Sequence, residues 1–348
     1  MKRMHAAATA LAAFLLWVPA ANAQASMTEA EQKLYEAAKA EGSFNWYTSM
    51  MDSERTETFC SMFEKRYPGV DCNALRATGQ VTFQRLAQEI QANAVQADVF
   101  STNDLTDLIE LQGSDSLMPY KPANTEFMIP SLRDIGDPQG RWSISMVSPL
   151  GIGYNTNLVK PEDAPKNWKD FLDPKWMNQV AIGHPGFSGS VSLWTVAMKN
   201  LYGWQYFEEL EKNKPQIGRS VTDGRNLIVS GERKVALVGL NNLEEMSRNG
   251  SPVKAVYPPD GILVPPSGSA ILAKAPHPNA AKLFAEYLIS KEIAQFQADT
   301  LRYPIRSDVP MPSGIPSLTE IKTLFVPPAT AGEEVQKVQD QFRNTFGI

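Results

Sequence analysis

Hydroxyl, amide and glycine residues are concentrated where predicted strands end and predicted helices begin. Thr48 and Ser49 end a strand that starts near Ser43, and Ser188 precedes a predicted helix. Hydroxyls and the free N–H groups of a helix N-terminus donate hydrogen bonds to carboxylate, phosphate or phosphonate oxygens, and the helix dipole favours negative charge there. The residues of this kind are Thr48, Ser49, Thr78, Ser101, Asn103, Ser188, Gly189, Ser190, Asn241 and Asn242. We predict that they bind a small anionic or polar solute.

Three arginines could supply the opposite charge, namely Arg76, Arg225 and Arg302. A guanidinium group pairs with carboxylate or phosphate oxygens through two parallel hydrogen bonds. Because most arginines lie on protein surfaces, residue type alone does not select among the three.

Residues that could perform catalysis have no recognisable spacing. The segment 186–190 is similar to a nucleophile elbow, but Ser190 stands where that motif needs its second glycine. Asp104, Glu244 and Glu245 are candidate carboxylates for a hydrolase, yet no defined spacing pairs them. We therefore expect a binding protein rather than an enzyme, with a hydrolase as the alternative.

The first 23 residues have the pattern of a secretory signal peptide. Lys2 and Arg3 are followed by an uncharged apolar run over 6–19, and Ala21-Asn22-Ala23 supplies a small-x-small cleavage site. The apolar run is too short for a transmembrane helix. We predict cleavage after Ala23 and export to the periplasm, where the hydrolase alternative would also act.

Cysteine and histidine usage indicates an oxidised chain without a metal centre. Cys60 and Cys72 are the only cysteines, one on a predicted helix and the other on the strand that follows. They form no CxxC pair, and His184 and His277 are isolated. In an oxidising compartment this favours a structural disulfide between Cys60 and Cys72. We predict neither a metal site nor a cofactor.

The charge balance excludes nucleic acid as a partner. The chain has 33 basic and 38 acidic residues, for a net charge of −5, and no cluster of lysine and arginine. Binding to nucleic acid requires basic groups that neutralise several phosphates at once. We expect a monomer whose partner is a small anionic solute.

Strand and helix patterns alternate along the chain with short connections. Thr28 and Glu31 predict a capping box that opens the first helix, and 43–48 reads as the first strand. Such alternation is typical of a mostly parallel sheet covered by helices on both faces. With 348 residues the chain is long enough for two domains.

In their order, several segments resemble the periplasmic solute-binding proteins of ABC importers, specifically the type II group that includes ferric-ion-binding proteins. The segments are Ala97-Asp98-Val99-Phe100, Gly153-Tyr154-Asn155-Thr156-Asn157-Leu158, 168–176, Ser188-Gly189-Ser190, Ser230-Gly231-Glu232 and 279–292. The resemblance implies an α/β fold of two discontinuous, doubly wound lobes joined by a hinge. We expect 24–120 plus 264–312 in the first lobe and 121–263 plus 313–348 in the second.

The resemblance also limits the expected class of ligand and implies a membrane permease as partner. Iron-binding members hold the metal with two adjacent tyrosines after a strand, and here Asn241 and Asn242 occupy those positions. Ser188-Gly189-Ser190 matches the loop that holds an anion in that group. We therefore expect hinge closure on a carboxylate, phosphate ester or phosphonate, which is delivered to an inner-membrane ABC permease. A ferric-iron receptor that uses a bound anion is the alternative.

Overall fold

A computed structural model describes residues 27–348. The predicted signal peptide, 1–23, lies outside the described residues. No helix formed by residues 27–348 has the length and apolar character needed to cross a membrane.

Helices and strands alternate through this part of the chain. The helices are α1 Glu29–Glu41, α2 Ser53–Arg66, α3 Gly79–Gln91, α4 Leu105–Gly113, α5 Pro130–Arg133, α6 Gly189–Tyr202, α7 Gln205–Lys212, α8 Val221–Ser230, α9 Leu240–Arg248, α10 Pro278–Leu288, α11 Lys291–Asp299 and α12 Pro328–Phe346. The strands are β1 Ser43–Thr48, β2 Asp71–Arg76, β3 Val99–Thr102, β4 Trp142–Val147, β5 Leu150–Asn155, β6 Val180–Gly183, β7 Gln216–Gly218, β8 Val235–Gly239, β9 Val253–Val256, β10 Ile262–Leu263, β11 Pro266–Ile271 and β12 Thr323–Leu324. Short 3-10 helices span Ala123–Phe127, Pro161–Asp163, Trp168–Leu172 and Pro174–Trp176.

One sheet has five strands in the order β2-β1-β3-β11-β4. Strands β1, β2 and β3 are parallel, whereas β11 runs antiparallel to both of its neighbours. Adjacent residues of β1 pack in different cores: Trp46 lies with Phe63 on one face, and Tyr47 lies with Leu86 on the other. The sheet is therefore covered on both faces, as the predicted α/β fold requires.

The second sheet has seven strands in the order β12-β10-β5-β8-β6-β7, with β9 paired to β5. Strands β6, β7 and β8 are parallel. Buried aromatic residues fill its main core, including Trp168, Phe171 and Trp194. Trp168 also donates a hydrogen bond of 2.8 Å to the carbonyl of Gly261, which ties its 3-10 helix to the segment before β10.

Two short segments connect the sheets. Only 148–149 separate β4 from β5, and only 264–265 separate β10 from β11. The N–H of Ser148 donates to the carbonyl of Pro265 over 3.0 Å, so the two segments run side by side. This pair of crossings forms the hinge between two α/β lobes and confirms the predicted fold class.

The position of β4 differs from the sequence-based expectation. The sequence predicts 121–263 in the second lobe, but β4 pairs with β11 in the five-stranded sheet. The assignment is therefore wrong for 121–147, because Met128 and Leu132 pack in the core of the first sheet and β4 pairs with a strand of the first lobe. The other lobe bounds stay predictions.

Candidate functional site

The parallel strands of the first sheet bring Ser49, Gly79 and Asn103 together. Ser49 follows β1, and its N–H donates to the carbonyl of Ser101 at 3.0 Å. A Cβ atom at Gly79 would lie 3.6 Å from the Oγ of Ser49 and 3.7 Å from the Oδ1 of Asn103. Gly79 begins α3, so free N–H groups of a helix lie beside these side-chain oxygens.

Two hydroxyls at this edge lack local partners. The Oγ of Ser49 is buried and has no hydrogen-bond partner among residues 27–348. Thr78 precedes α3, is exposed, and makes no capping hydrogen bond. A buried polar atom without a partner costs about 1–3 kcal/mol, which a ligand that supplies the bond removes. Ser49 is thus the strongest candidate for a ligand contact in the first lobe.

The second sheet presents Ser188, Gly189 and Ser190 after β6. Ser188 precedes α6 without capping it, and its Oγ lies 3.1 Å from the Oγ of Ser190. Gly189 is exposed, and no atom lies within 4 Å of the position that its Cβ would take. Two hydroxyls and the first N–H groups of a long helix can therefore approach one oxyanion.

Asn241 and Asn242 lie in the first turn of α9, directly after β8. Because β6 and β8 are parallel neighbours, this turn and Ser188 lie at the same edge of the sheet. The Oδ1 of Asn241 is buried and has no partner within the described chain, whereas Asn242 is exposed. Asn241 therefore offers the second lobe's counterpart to Ser49.

Thr48 and Ser101 were predicted as ligand contacts, but both side chains are fully buried. The Oγ1 of Thr48 accepts a 3.3 Å hydrogen bond from the N–H of Met50. The Oγ of Ser101 accepts a hydrogen bond from the indole of Trp46 at 2.9 Å. The side chains of these two residues face the core beneath the Ser49 loop, because side chains near a strand end alternate between the core and the open edge.

Two charged residues near the site were not among the predicted contacts. Arg55 lies in the first turn of α2, after the loop that carries Ser49, and its Nη1 donates to Thr300 at 3.3 Å. Burial and the nearby charge of Arg302 lower the pKa of Arg55. The position of Arg55 in the helix that follows β1 could have indicated a ligand contact, since that helix starts at the ligand edge of a parallel sheet.

Asp107 is the other charged residue at this edge, and no motif in the sequence singles it out. Its Oδ2 accepts a 2.9 Å hydrogen bond from the hydroxyl of Thr102. Burial, with smaller contributions from the charges of Asp104 and Glu110, raises the pKa of Asp107 to about 7. The carboxyl group at this edge therefore titrates near neutral pH.

Candidate catalytic carboxylates are engaged in other contacts. Asp104 caps α4, and Glu244 accepts a 2.7 Å hydrogen bond from the phenol of Tyr257. Glu245 pairs with Arg302 over 3.0 Å. Among residues 27–348, no three histidine, cysteine, aspartate or glutamate residues come close enough to hold a metal ion. The disulfide predicted between Cys60 and Cys72 is present.

Three known proteins are similar to this chain in sequence or in structure. It is 27% identical over 284 residues, 77% of each chain, to the "Putative 2-aminoethylphosphonate-binding periplasmic protein" of Salmonella typhimurium. The periplasmic binding protein AfuA of Actinobacillus pleuropneumoniae, with fructose-6-phosphate bound, has a TM-score of 0.71 and 23% identity over 88% of this chain and 99% of that one. Iron-bound HitA of Pseudomonas aeruginosa has a TM-score of 0.70 and 20% identity over 87% and 99%.

The two solved structures establish the fold. The family model described as "Bacterial extracellular solute-binding protein" matches residues 96–324, which include β3 to β12. The resemblance inferred from the sequence is thereby confirmed. With paired lobes, two short crossing segments and polar strand ends on both sheets, the chain belongs to the family of bacterial extracellular solute-binding proteins.

Proposed function

We propose that this chain is the periplasmic substrate-binding component of an ABC importer and that it captures a small organic anion between its lobes. The observation that carries the proposal is the buried, unpartnered Oγ of Ser49 beside Gly79 and Asn103. Asn241 supplies a similar buried oxygen from the second lobe. A ligand that bonds to both lobes favours the closed arrangement, since it shifts the equilibrium by its differential affinity.

The anion is a carboxylate, a phosphate ester or a phosphonate. Ser188 and Ser190 donate to its oxygens together with the N-terminus of α6, while Thr78 and the start of α3 act from the first lobe. Two of the related proteins support phosphorus oxyanions, since one is named for 2-aminoethylphosphonate and the other contains fructose-6-phosphate. Neutral amides at Asn241 and Asn242 suit an organic ligand better than a ferric ion, which prefers phenolate oxygen.

The ligand is released unchanged to an inner-membrane permease. In this proposal the chain is an exported monomer, its signal peptide is cleaved after Ala23, and it has no hydrolase activity. The absence of hydrolase activity is tested by incubating the protein with fructose-6-phosphate and measuring free phosphate. Any turnover by purified protein would contradict the binding role.

A binding experiment tests the site. Protein purified without refolding is analysed by native mass spectrometry for retained ligand, then titrated with 2-aminoethylphosphonate, fructose-6-phosphate and citrate. Ser188→Ala combined with Ser190→Ala is expected to weaken binding at least about tenfold, because each charge-assisted hydrogen bond contributes about 1.5–3 kcal/mol.

Thr28→Ala is the matched control for this double variant. Thr28 caps α1, and Glu31 in that turn contacts Arg66 at the C-terminal end of α2, opposite the loop that carries Ser49. Loss of the cap therefore lowers stability without changing affinity. If the double variant binds as tightly as the native chain, the site assignment is wrong. If no anion is retained or bound, the proposed function is wrong.

A further inference from the structure

An ion pair joins the two lobes at the ligand edge. Glu245 lies on α9, which follows a strand of the second sheet, and its Oε2 is 3.0 Å from an Nη atom of Arg302. Arg302 follows α11, and the neighbouring Tyr303 packs in the core beneath the first sheet. The carboxylate therefore reaches from one lobe to a guanidinium of the other.

Arg302 is one of two arginines held by the same residue. The Oγ1 of Thr300 accepts from Arg55 at 3.3 Å, while its carbonyl accepts from Arg302 at 3.4 Å. Each guanidinium is thus fixed by protein contacts before any ligand arrives. We refer to Arg55 and Arg302 together as the arginine pair.

Among residues 27–348, Glu245 is the only carboxylate that forms an ion pair with a guanidinium of the arginine pair. Two guanidinium groups lie close enough for the charge of Arg302 to lower the pKa of Arg55. The charges of Asp52, Glu245 and Glu54 offset part of this effect, but within the described chain neither Asp52 nor Glu54 forms an ion pair with Arg55. A dianion would compensate both guanidiniums, whereas a single carboxylate compensates one.

Exposure indicates which partner is exchangeable. The side chain of Arg302 is 17% exposed and that of Glu245 is 49% exposed. A half-exposed carboxylate can turn into solvent at little cost, because solvent screens the attraction in an exposed ion pair. The cationic half stays in place, fixed at Thr300.

The arginine pair belongs to the same edge as the proposed site. Arg55 is in the helix that begins after the Ser49 loop, and Glu245 is one helical turn from Asn241, on the same face of α9. Tyr257 and Tyr303 meet beside this contact, with their hydroxyls 3.1 Å apart. The lobes are therefore already in contact where the ligand would complete the closure.

We infer that the arginine pair is the subsite for a phosphonate or phosphate-monoester dianion, and that Glu245 occupies it in the ligand-free chain as an internal competitor. The inference rests on the proposed function and specifies its ligand class. The entering dianion takes over the hydrogen bonds of Arg302, and Glu245 turns toward solvent. A monocarboxylate has the same charge as the side chain of Glu245 and therefore does not displace it from Arg302.

Titration with ethyl phosphate, a dianion at pH 8, tests this inference, with acetate as the monoanion. Glu245→Gln is expected to strengthen ethyl phosphate binding by about 3–10-fold, because affinity is reduced by the fraction of molecules whose site is blocked. Arg302→Gln is expected to weaken it at least about tenfold. In the double variant the gain from Glu245→Gln disappears, since no guanidinium remains to compete for.

Glu244→Gln is the matched control. It removes the same charge from the same helix turn, but Glu244 contacts Tyr257 rather than Arg302, so affinity should change by less than about twofold. Glu245 is half exposed and its variant is expected to fold, which keeps the test informative if Arg302→Gln is unstable.

Two results would overturn the inference. One is an unchanged or weaker affinity for ethyl phosphate in Glu245→Gln, and the other is the absence of ethyl phosphate binding by the native chain. Binding of citrate to the native chain that is lost in the Ser188→Ala, Ser190→Ala double variant would still support the proposed function. That result would contradict only the arginine-pair subsite. If no anion binds at all, both fall.

Discussion

The Oγ of Ser101 lies 2.7 Å from the Oγ of Ser269, inside the five-stranded sheet. Ser269 in turn lies 2.7 Å from Ser145, and Ser101 also accepts from the indole of Trp46. This buried chain of hydroxyls connects β3, β11 and β4 through side chains as well as backbone. We therefore expect Ser101 to stabilise the sheet below the candidate site rather than to contact solute.

Ser101→Ala should reduce stability and leave affinity unchanged. The substitution removes the acceptor of the buried Trp46 indole, at a cost of about 1–3 kcal/mol. Urea unfolding measures the loss, and calorimetric titration with 2-aminoethylphosphonate or fructose-6-phosphate measures affinity. A weakened affinity without a loss of stability would return Ser101 to the ligand contacts.

Asp107→Asn should remove a pH-dependent loss of stability. Because the pKa of Asp107 rises from 3.8 to about 7, the folded chain retains a proton that the unfolded chain releases, and stability falls as pH rises through this window. Above pH 7 the variant should be more stable than the native chain, by roughly 1–2 kcal/mol after allowance for screening. Below pH 4 the two should coincide.

Thermal unfolding from pH 4 to pH 8 checks the effect of Asp107→Asn. Glu57→Gln, at an exposed position of α2, is the control and should leave the pH profile unchanged. Parallel profiles of the native chain and Asp107→Asn would rule out a raised pKa at Asp107.

Gly153→Ala should destabilise the second lobe. A Cβ at this position in β5 would lie 2.9 Å from both Ile228 and Leu243, which pack on the strand from α8 and α9. Such overpacking costs about 1–3 kcal/mol. Gly332→Ala in α12 meets no atom within 4 Å and should stabilise by about 0.5–1 kcal/mol instead. Equal unfolding midpoints for the two variants would contradict this packing argument.

Removal of the disulfide should reduce the free energy of unfolding by about 3 kcal/mol. The bond closes a short loop and so restricts the unfolded chain. Cys60 and Cys72 are separated by 12 residues and join α2 to β2. Urea unfolding of Cys60→Ala with Cys72→Ala, compared with the native chain, measures the effect. The native chain with added reductant should match the double variant, and an unchanged midpoint in both would refute the estimate.

Much of the local structure follows from neighbouring residues. Thr28 and Glu31 predict the start of α1, and the hydroxyl of Thr28 accepts from the N–H of Glu31 at 3.1 Å. The strand over 43–48 and its polar end at Ser49 are also present. These features depend on helix capping and on hydrophobic patterns within one segment, which the order of residues determines.

Which strand-end residue is open to a ligand could not be predicted locally. Ser49 and Ser101 have the same side chain and follow or end parallel strands, yet one is unpartnered and the other lies in a buried network. The difference depends on Ser269, which belongs to a strand that returns from the second lobe. The same long-range pairing places β4 in the first sheet, against the lobe boundary predicted at 120–121.

The sequence by itself determined the family, the alternation of helices and strands, and the disulfide, because each is encoded in local patterns or in ordered motifs. Only the tertiary structure decided that Arg55 and Arg302 share Thr300 and that Glu245 pairs with Arg302 from the other lobe. Arg55 and Thr300 are 245 positions apart, so no local pattern relates them. Their contact exists because two sheets, built from interleaved segments, fold against a common hinge.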